Sequence, residues 1–327
     1  MNREIRIAGV SGLLLVLAPA VALAAGPCRM DEAIALFEKR QWGLAGPALS
    51  DCAAAEPKNA RAAEYLGRAL LAQGQENEAI PWLEKAVTLQ PGSSEAHLWL
   101  GRAYAQQALH ANFLKQASLA SKVHKAFERA VALDPESVEA RLSLIDYYLL
   151  APGIMGGSIA KAKEQAAEIA RRDAMRGHRA LGRIAESEKK FSDAAAQYEK
   201  AMTAFPDRNE PVYWRTNLAV SQKDWSRAFD LLEGLLLSRP GEVGACYQIG
   251  KVAVLSGQRV ERGEECLKSY LRHEPGKDEP PLSWAHFRLA AIYEKTGRKD
   301  LARQEYQNAL RLDPTMKEAR QALAKLS

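Results

Sequence analysis

Six histidines (His97, His110, His124, His178, His273 and His286) are the side chains best suited to hold a metal or move protons in this sequence. A helical metal site needs two of them one turn apart with a carboxylate beside them. No His-Glu-x-x-His occurs, and His110 and His124 are too far apart for one turn. No Gly-x-Ser-x-Gly turn is present to expose a nucleophile. A further candidate is Gly153-Ile154-Met155-Gly156-Gly157-Ser158, which has the glycines of a phosphate-binding loop. That loop needs Lys immediately before the hydroxyl residue, so that the amine meets the phosphates. Here Gly157 precedes Ser158 and Lys161 comes three residues later. The preceding SLIDYYLL reads as a helix in register, where a phosphate loop would follow a strand. The segment therefore reads as a turn whose Ser158 caps a helix beginning at Ile159. These residues point to a chain without catalytic, metal or cofactor chemistry.

The elements that carry these residues follow from composition and punctuation. The chain has 327 residues, is 47% hydrophobic and carries 45 Lys+Arg against 40 Asp+Glu. That excludes a disordered chain, and the net charge of +5 is far from the dense basic stripe of a nucleic-acid binder. Abundant Ala and Leu favour helices. Four cysteines are too few for a disulfide-dense scaffold. The opening MNREIR, the apolar run Ile7 to Leu23 and the Ala22-Leu23-Ala24 site have the order of a secretory signal peptide. Residues 1–24 are expected to be removed on export to a bacterial periplasm, with no transmembrane segment left in the mature chain.

The remainder is repetitive. Segments ending at Pro91, Pro206, Pro240 and Pro314 share one pattern: Ala, a large apolar residue four on, a further residue three on, and Pro five on; the segment ending at Pro135 shares its last three positions. Examples are Ala79, Leu83 and Ala86, or Ala194, Tyr198 and Ala201, or Ala302, Tyr306 and Ala309. Small residues let two helices approach, a bulky one fills the neighbouring gap, and proline stops the second helix. Leu66-Gly67 with Leu70, Leu100-Gly101 with Tyr104, and Leu289-Ala290 with Tyr293 set the same pattern in a preceding helix.

This closely resembles the tetratricopeptide repeat family, with a period of 34 and small and large residues at the family's positions 8, 11, 20, 24, 27 and 32. Repeat starts fall at Gly26, Ala60, Ser94, Val138, Met175, Asn209, Val243 and Ser283. The resemblance implies an all-α, right-handed superhelical solenoid of eight helix pairs over residues 25–315, capped by a last helix in residues 316–327. The third repeat gains ten residues around LHANFLKQASLAS, the fourth carries APGIMGGS between its helices, and the seventh leaves by a longer exit, EPGKDEPP.

The resemblance also implies a concave groove lined by the first helix of each repeat. Positions pointing there hold Arg61, Arg68, Trp99 and Arg102 in repeats two and three, and Arg176, Arg179 and Arg183 in repeat five. In repeats six to eight they hold Tyr213, Trp214, Asn217, Tyr247, Lys251, Trp284, Phe287 and Arg288. Arg and large aromatics dominate binding hot spots. The carboxylate clamp of some family members is not reproduced, since Met30 and Ile34 stand at its first two positions. Cys28 and Cys52 fall at positions 3 and 27, levels that face one another across a helix pair. Cys246 and Cys266 fall near positions 4 and 23, a poorer match. Each pair is either a disulfide or two buried apolar thiols. The function expected is an exported, non-catalytic scaffold or adaptor that holds peptide segments of partner proteins, acidic ones among them. The rivals are an assembly factor for envelope or cytochrome complexes, and an enzyme whose site the sequence does not reveal.

Overall fold

A computed structural model describes residues 28–276 and 279–326. The segment read as a signal peptide, and the first repeat's start at Gly26, lie outside the described residues. Within them the chain is all-helical. Eight helices come first in their pairs: α1 (Met30–Glu38), α3 (Ala60–Ala72), α5 (Ser94–Leu109), α7 (Val138–Leu150), α9 (Ala174–Ser187), α11 (Glu210–Ser221), α13 (Val243–Ser256) and α15 (Leu282–Lys295). Their partners are α2 (Trp42–Ala55), α4 (Glu76–Leu89), α6 (Phe113–Leu133), α8 (Ile159–Arg172), α10 (Phe191–Ala204), α12 (Trp225–Ser238), α14 (Val260–Tyr270) and α16 (Lys299–Leu312). A short last helix, α17 (Lys317–Lys325), packs on α16.

Each helix begins and ends where local chemistry dictates. The side chains of Asn59, Ser93, Ser137 and Asp173 accept the backbone N–H three residues on and so cap α3, α5, α7 and α9. Between the two helices of a repeat the chain closes a Schellman motif. The N–H groups of Gln41, Gln75, Lys190, Asp224 and Arg298 donate to the carbonyls of Leu36, Leu70, Ala185, Ala219 and Tyr293. This turn needs one residue with positive φ, supplied by Gly74 and Gly297 but also by Arg40, Lys189 and Lys223.

Packing follows the small–large–small spacing. Ala79, Leu83 and Ala86 are all buried, as are Ala194, Tyr198 and Ala201. The opposing helix must then be small where the bulky residue lands. A Cβ placed on Gly182 would sit 2.2 Å from the Tyr198 ring. Gly182 is therefore fixed by close approach.

Helices meet their sequence neighbours throughout. The first helices also touch one another, α1 with α3, α3 with α5, α5 with α7, α7 with α9, α9 with α11 and α13 with α15. Elements that converge on one side and splay on the other make a curved solenoid whose inner wall is built from first helices. The ten-residue insertion lengthens α5 to 16 residues and α6 to 21. The solenoid's ends also meet: Arg40 Nη1 donates to the Glu279 carbonyl at 3.0 Å, and Gly43 faces Pro314.

Candidate functional site

The inner wall carries two different chemistries along its length. In the first half every arginine named from the sequence, Arg179 apart, has a carboxylate partner. Arg61 meets Asp31 at 3.6 Å, and Arg68 meets Glu64 at 3.1 Å and Glu95 at 2.8 Å. Arg102 and Arg176 both reach Glu139, at 3.2 and 3.0 Å, while Arg183 reaches Asp146 at 2.5 Å. All but the Arg68–Glu64 pair join one repeat to the next. Arg68 is 8% exposed, and its guanidinium lies 4.5–5.1 Å from the rings of Phe37, Tyr65 and Trp99. Trp99 is itself held between Arg68 and Arg102. The sequence reading treated Arg68 as a groove cation free for a ligand. The structure places it inside an aromatic cage, where it braces the wall. The acidic partners went unnoticed at sequence level, although Asp31, Glu95, Glu139 and Asp146 occupy groove positions themselves. Opposite charges at groove positions of adjacent repeats were the available signal.

The second half differs, and Arg179 of α9 at its border goes with it. Arg179, Lys251 and Arg288 have no carboxylate partner among the described residues. Arg179 lies over Trp214, 5.5 Å from the ring centroid. Arg288 lies over Tyr247 at 5.2 Å and Trp284 at 6.0 Å, and its Nε donates to the Tyr247 hydroxyl at 2.9 Å. Burial holds the Lys251 amine below its usual range, and the neighbouring Arg288 charge adds to this. Burial likewise lowers Arg179, with Arg183 adding repulsion and the more distant Glu139 and Asp146 charges opposing it. Asn217 is exposed on the same wall.

Not all the aromatics are free to bind. Tyr247 is 5% exposed and packs on Tyr270 at 5.2 Å, so it is a support for Arg288 and not a surface anchor, as the sequence reading had it. The Tyr213 hydroxyl donates to Glu242 at 2.8 Å, and burial followed by this bond pushes its pKa up. Trp214, Trp284 and Phe287 are half-buried, with Trp284 and Phe287 edge to face at 5.6 Å.

The remaining sequence candidates have structural occupations. Backbone N–H groups of Met155, Gly156, Gly157 and Ser158 are spent on the carbonyls of Pro152, Gly153, Pro152 and Tyr148. The glycine loop therefore has no cradle to offer a phosphate, and Ser158 caps α8 through the Lys161 N–H. His286 bonds Glu305 and His178 bonds Gln197, each joining the two helices of a repeat. No group of three His, Cys, Asp or Glu that could hold a metal occurs among the described residues. Cys28 and Cys52 are joined as a disulfide, linking the residues before α1 to α2. Cys246 and Cys266 carry free thiols whose Sγ atoms are 2.9 Å apart, much closer than their repeat positions suggest.

The stacked pairs and lined inner wall define an α-solenoid of the kind that serves as a protein-interaction scaffold. The tetratricopeptide repeat profile matches residues 30–94 and again residues 283–316. The chain is a tetratricopeptide-repeat protein. Its fold is similar to that of a thermophilic repeat protein of Thermus thermophilus, with 17% identity and a TM-score of 0.50 over 58% of this chain and 97% of that one. It is also similar to yeast Tom70, with 14% identity and a TM-score of 0.60 over 88% of this chain and 58% of that one. At these identities the likeness is one of fold. No curated protein matches the chain in sequence.

Proposed function

We propose that this chain is an exported, non-catalytic scaffold that binds acidic segments of partner proteins along the second half of its inner wall. One observation carries the reading. Of the cations on that wall, Arg179, Lys251 and Arg288 have no carboxylate partner among the described residues, and aromatic rings flank two of them. An unpaired, partly desolvated cation gains most from an incoming carboxylate, because its own hydration is already reduced. Half-buried Trp214, Trp284 and Phe287 add apolar area beside it. The ligand class is therefore a segment that alternates carboxylates with apolar or aromatic side chains. A wall preorganised by the packing of its repeats spares the complex part of the ordering cost. Residues 1–24 support export, and among the described residues no helix is long and apolar enough to cross a membrane.

The test is fluorescence anisotropy of the chain with a library of labelled acidic–aromatic peptides and their neutral counterparts. Lys251→Ala with Arg288→Ala should weaken binding of the acidic set about ten-fold or more and flatten its salt dependence. Arg102→Ala, which removes a cation already paired with Glu139, should change affinity much less. Equal binding of acidic and neutral peptides, or an unchanged double variant, would overturn the assignment.

A further inference from the structure

The thiols of α13 and α14 form a built pair apart from the inner-wall site. Cys246 is half-buried, whereas Cys266 is 1% exposed. At 2.9 Å the Cys266 thiol donates to Cys246. That bond holds the Cys246 thiol below its usual range, against burial, and the Arg262 charge works in the same direction. The same bond, with burial, pushes the Cys266 thiol up. Arg262 is fixed beside them by Glu233 of α12, at 2.9 and 3.0 Å. One sulfur is thus reachable and disposed to ionise, and the other waits behind it, protonated and enclosed. Thiol–disulfide exchange requires that division of labour.

We propose that Cys246 and Cys266 are a thiol–disulfide exchange couple, in which Cys246 receives an external disulfide and Cys266 resolves it into a bond between α13 and α14. In the first step the Cys246 thiolate attacks one sulfur of the external disulfide. A mixed disulfide forms, and the other external sulfur leaves as a thiolate. Cys266 then gives its proton to that thiolate and attacks Cys246 Sγ. The mixed disulfide breaks and releases the second external sulfur, which takes the proton that Cys246 lost to solvent. Two protein thiols are oxidised and one external disulfide is reduced to two thiols. Because Tyr247 follows Cys246 and carries Arg288, closing the bond acts directly behind the inner wall.

Exposure of the full chain to oxidised glutathione, alkylation of remaining thiols and peptide mapping by mass spectrometry test this. The parent should yield a Cys246–Cys266 cross-linked peptide and no lasting glutathione adduct. Cys266→Ser should accumulate one glutathione on Cys246. Cys246→Ser should be modified at Cys266 at least about ten-fold more slowly, since access governs the attack. Circular dichroism establishes that each variant folds. Should a serine variant not fold, the parent alone decides, because untouched thiols or a persistent mixed disulfide overturn the proposal. Equal glutathionylation of the two single variants overturns it as well.

Discussion

A lysine with φ near +58° is an uncommon choice, and the inner turns of this solenoid use it twice. Lys189 and Lys223 have φ of 59° and 58° at the place where Gly74 and Gly297 have 71° and 76°. A side chain in the left-handed region costs roughly 1–2 kcal/mol, which glycine avoids at an entropic cost of roughly 0.5–1 kcal/mol. Both lysines are exposed, so the exchange removes no packing. Lys189→Gly and Lys223→Gly should each stabilise the fold by about 0.5–1 kcal/mol, read from the urea midpoint. Gly182→Ala should do the reverse, by about 1–3 kcal/mol, because its Cβ would meet the Tyr198 ring. An unchanged midpoint for the lysine variants would mean that the Schellman hydrogen bonds relieve the strain. In the sequence, glycine marks such turns at Gly74 and Gly297. Arg40, Lys189 and Lys223 hold the same geometry without its usual signature.

Helix pairs were legible because each repeats the same small and bulky residues at fixed spacing, so that an error in one repeat is corrected by the others. What joins the pairs was less legible. Buried apolar residues form one cluster from Leu71 to Ile184 and another from Ala219 to Leu326. Between them lies a small cluster of Ala185, Ala194, Tyr198 and Leu218. Tyr198 is its largest member, and its hydroxyl donates to Glu186. In a solenoid each repeat is held mainly by its neighbours, so a thin junction sets the weakest link. Tyr198→Ala should cost about 3–5 kcal/mol, and it should make α9–α11 exchange amide hydrogens before either flank. Hydrogen-exchange mass spectrometry would show this directly. Uniform acceleration along the whole chain would mean that the array unfolds as one cooperative unit despite the junction. The candidate site was legible in residue type but not in state. Position alone selected Arg61, Arg102 and Arg288 alike, and only the neighbouring carboxylates distinguish the paired from the unpaired.

At the scale of the molecule the inner wall is closed by its own ends. The first repeat's turn meets the exit of the seventh, where Arg40 donates to the Glu279 carbonyl at 3.0 Å. That exit is held in place from its other side. The Tyr270 hydroxyl donates to the Pro280 carbonyl at 2.5 Å, and Glu279 is bonded to His273 at 2.7 Å. No periodic pattern announces a contact across 239 residues, but the longer EPGKDEPP exit gives it a structural purpose. With the ends joined, a ligand reaches the unpaired cations by threading or after the contact opens. One such hydrogen bond is worth about 1 kcal/mol, or about a five-fold change in the balance of closed and open forms. Arg40→Ala should therefore raise the radius of gyration in small-angle scattering and speed association of an acidic peptide, while its dissociation changes little. The two readouts separate a structural bond from a gate. A wider molecule with an unchanged on-rate means that ligands already enter from the open faces of the ring, and an unchanged radius means that the ends stay together without this hydrogen bond.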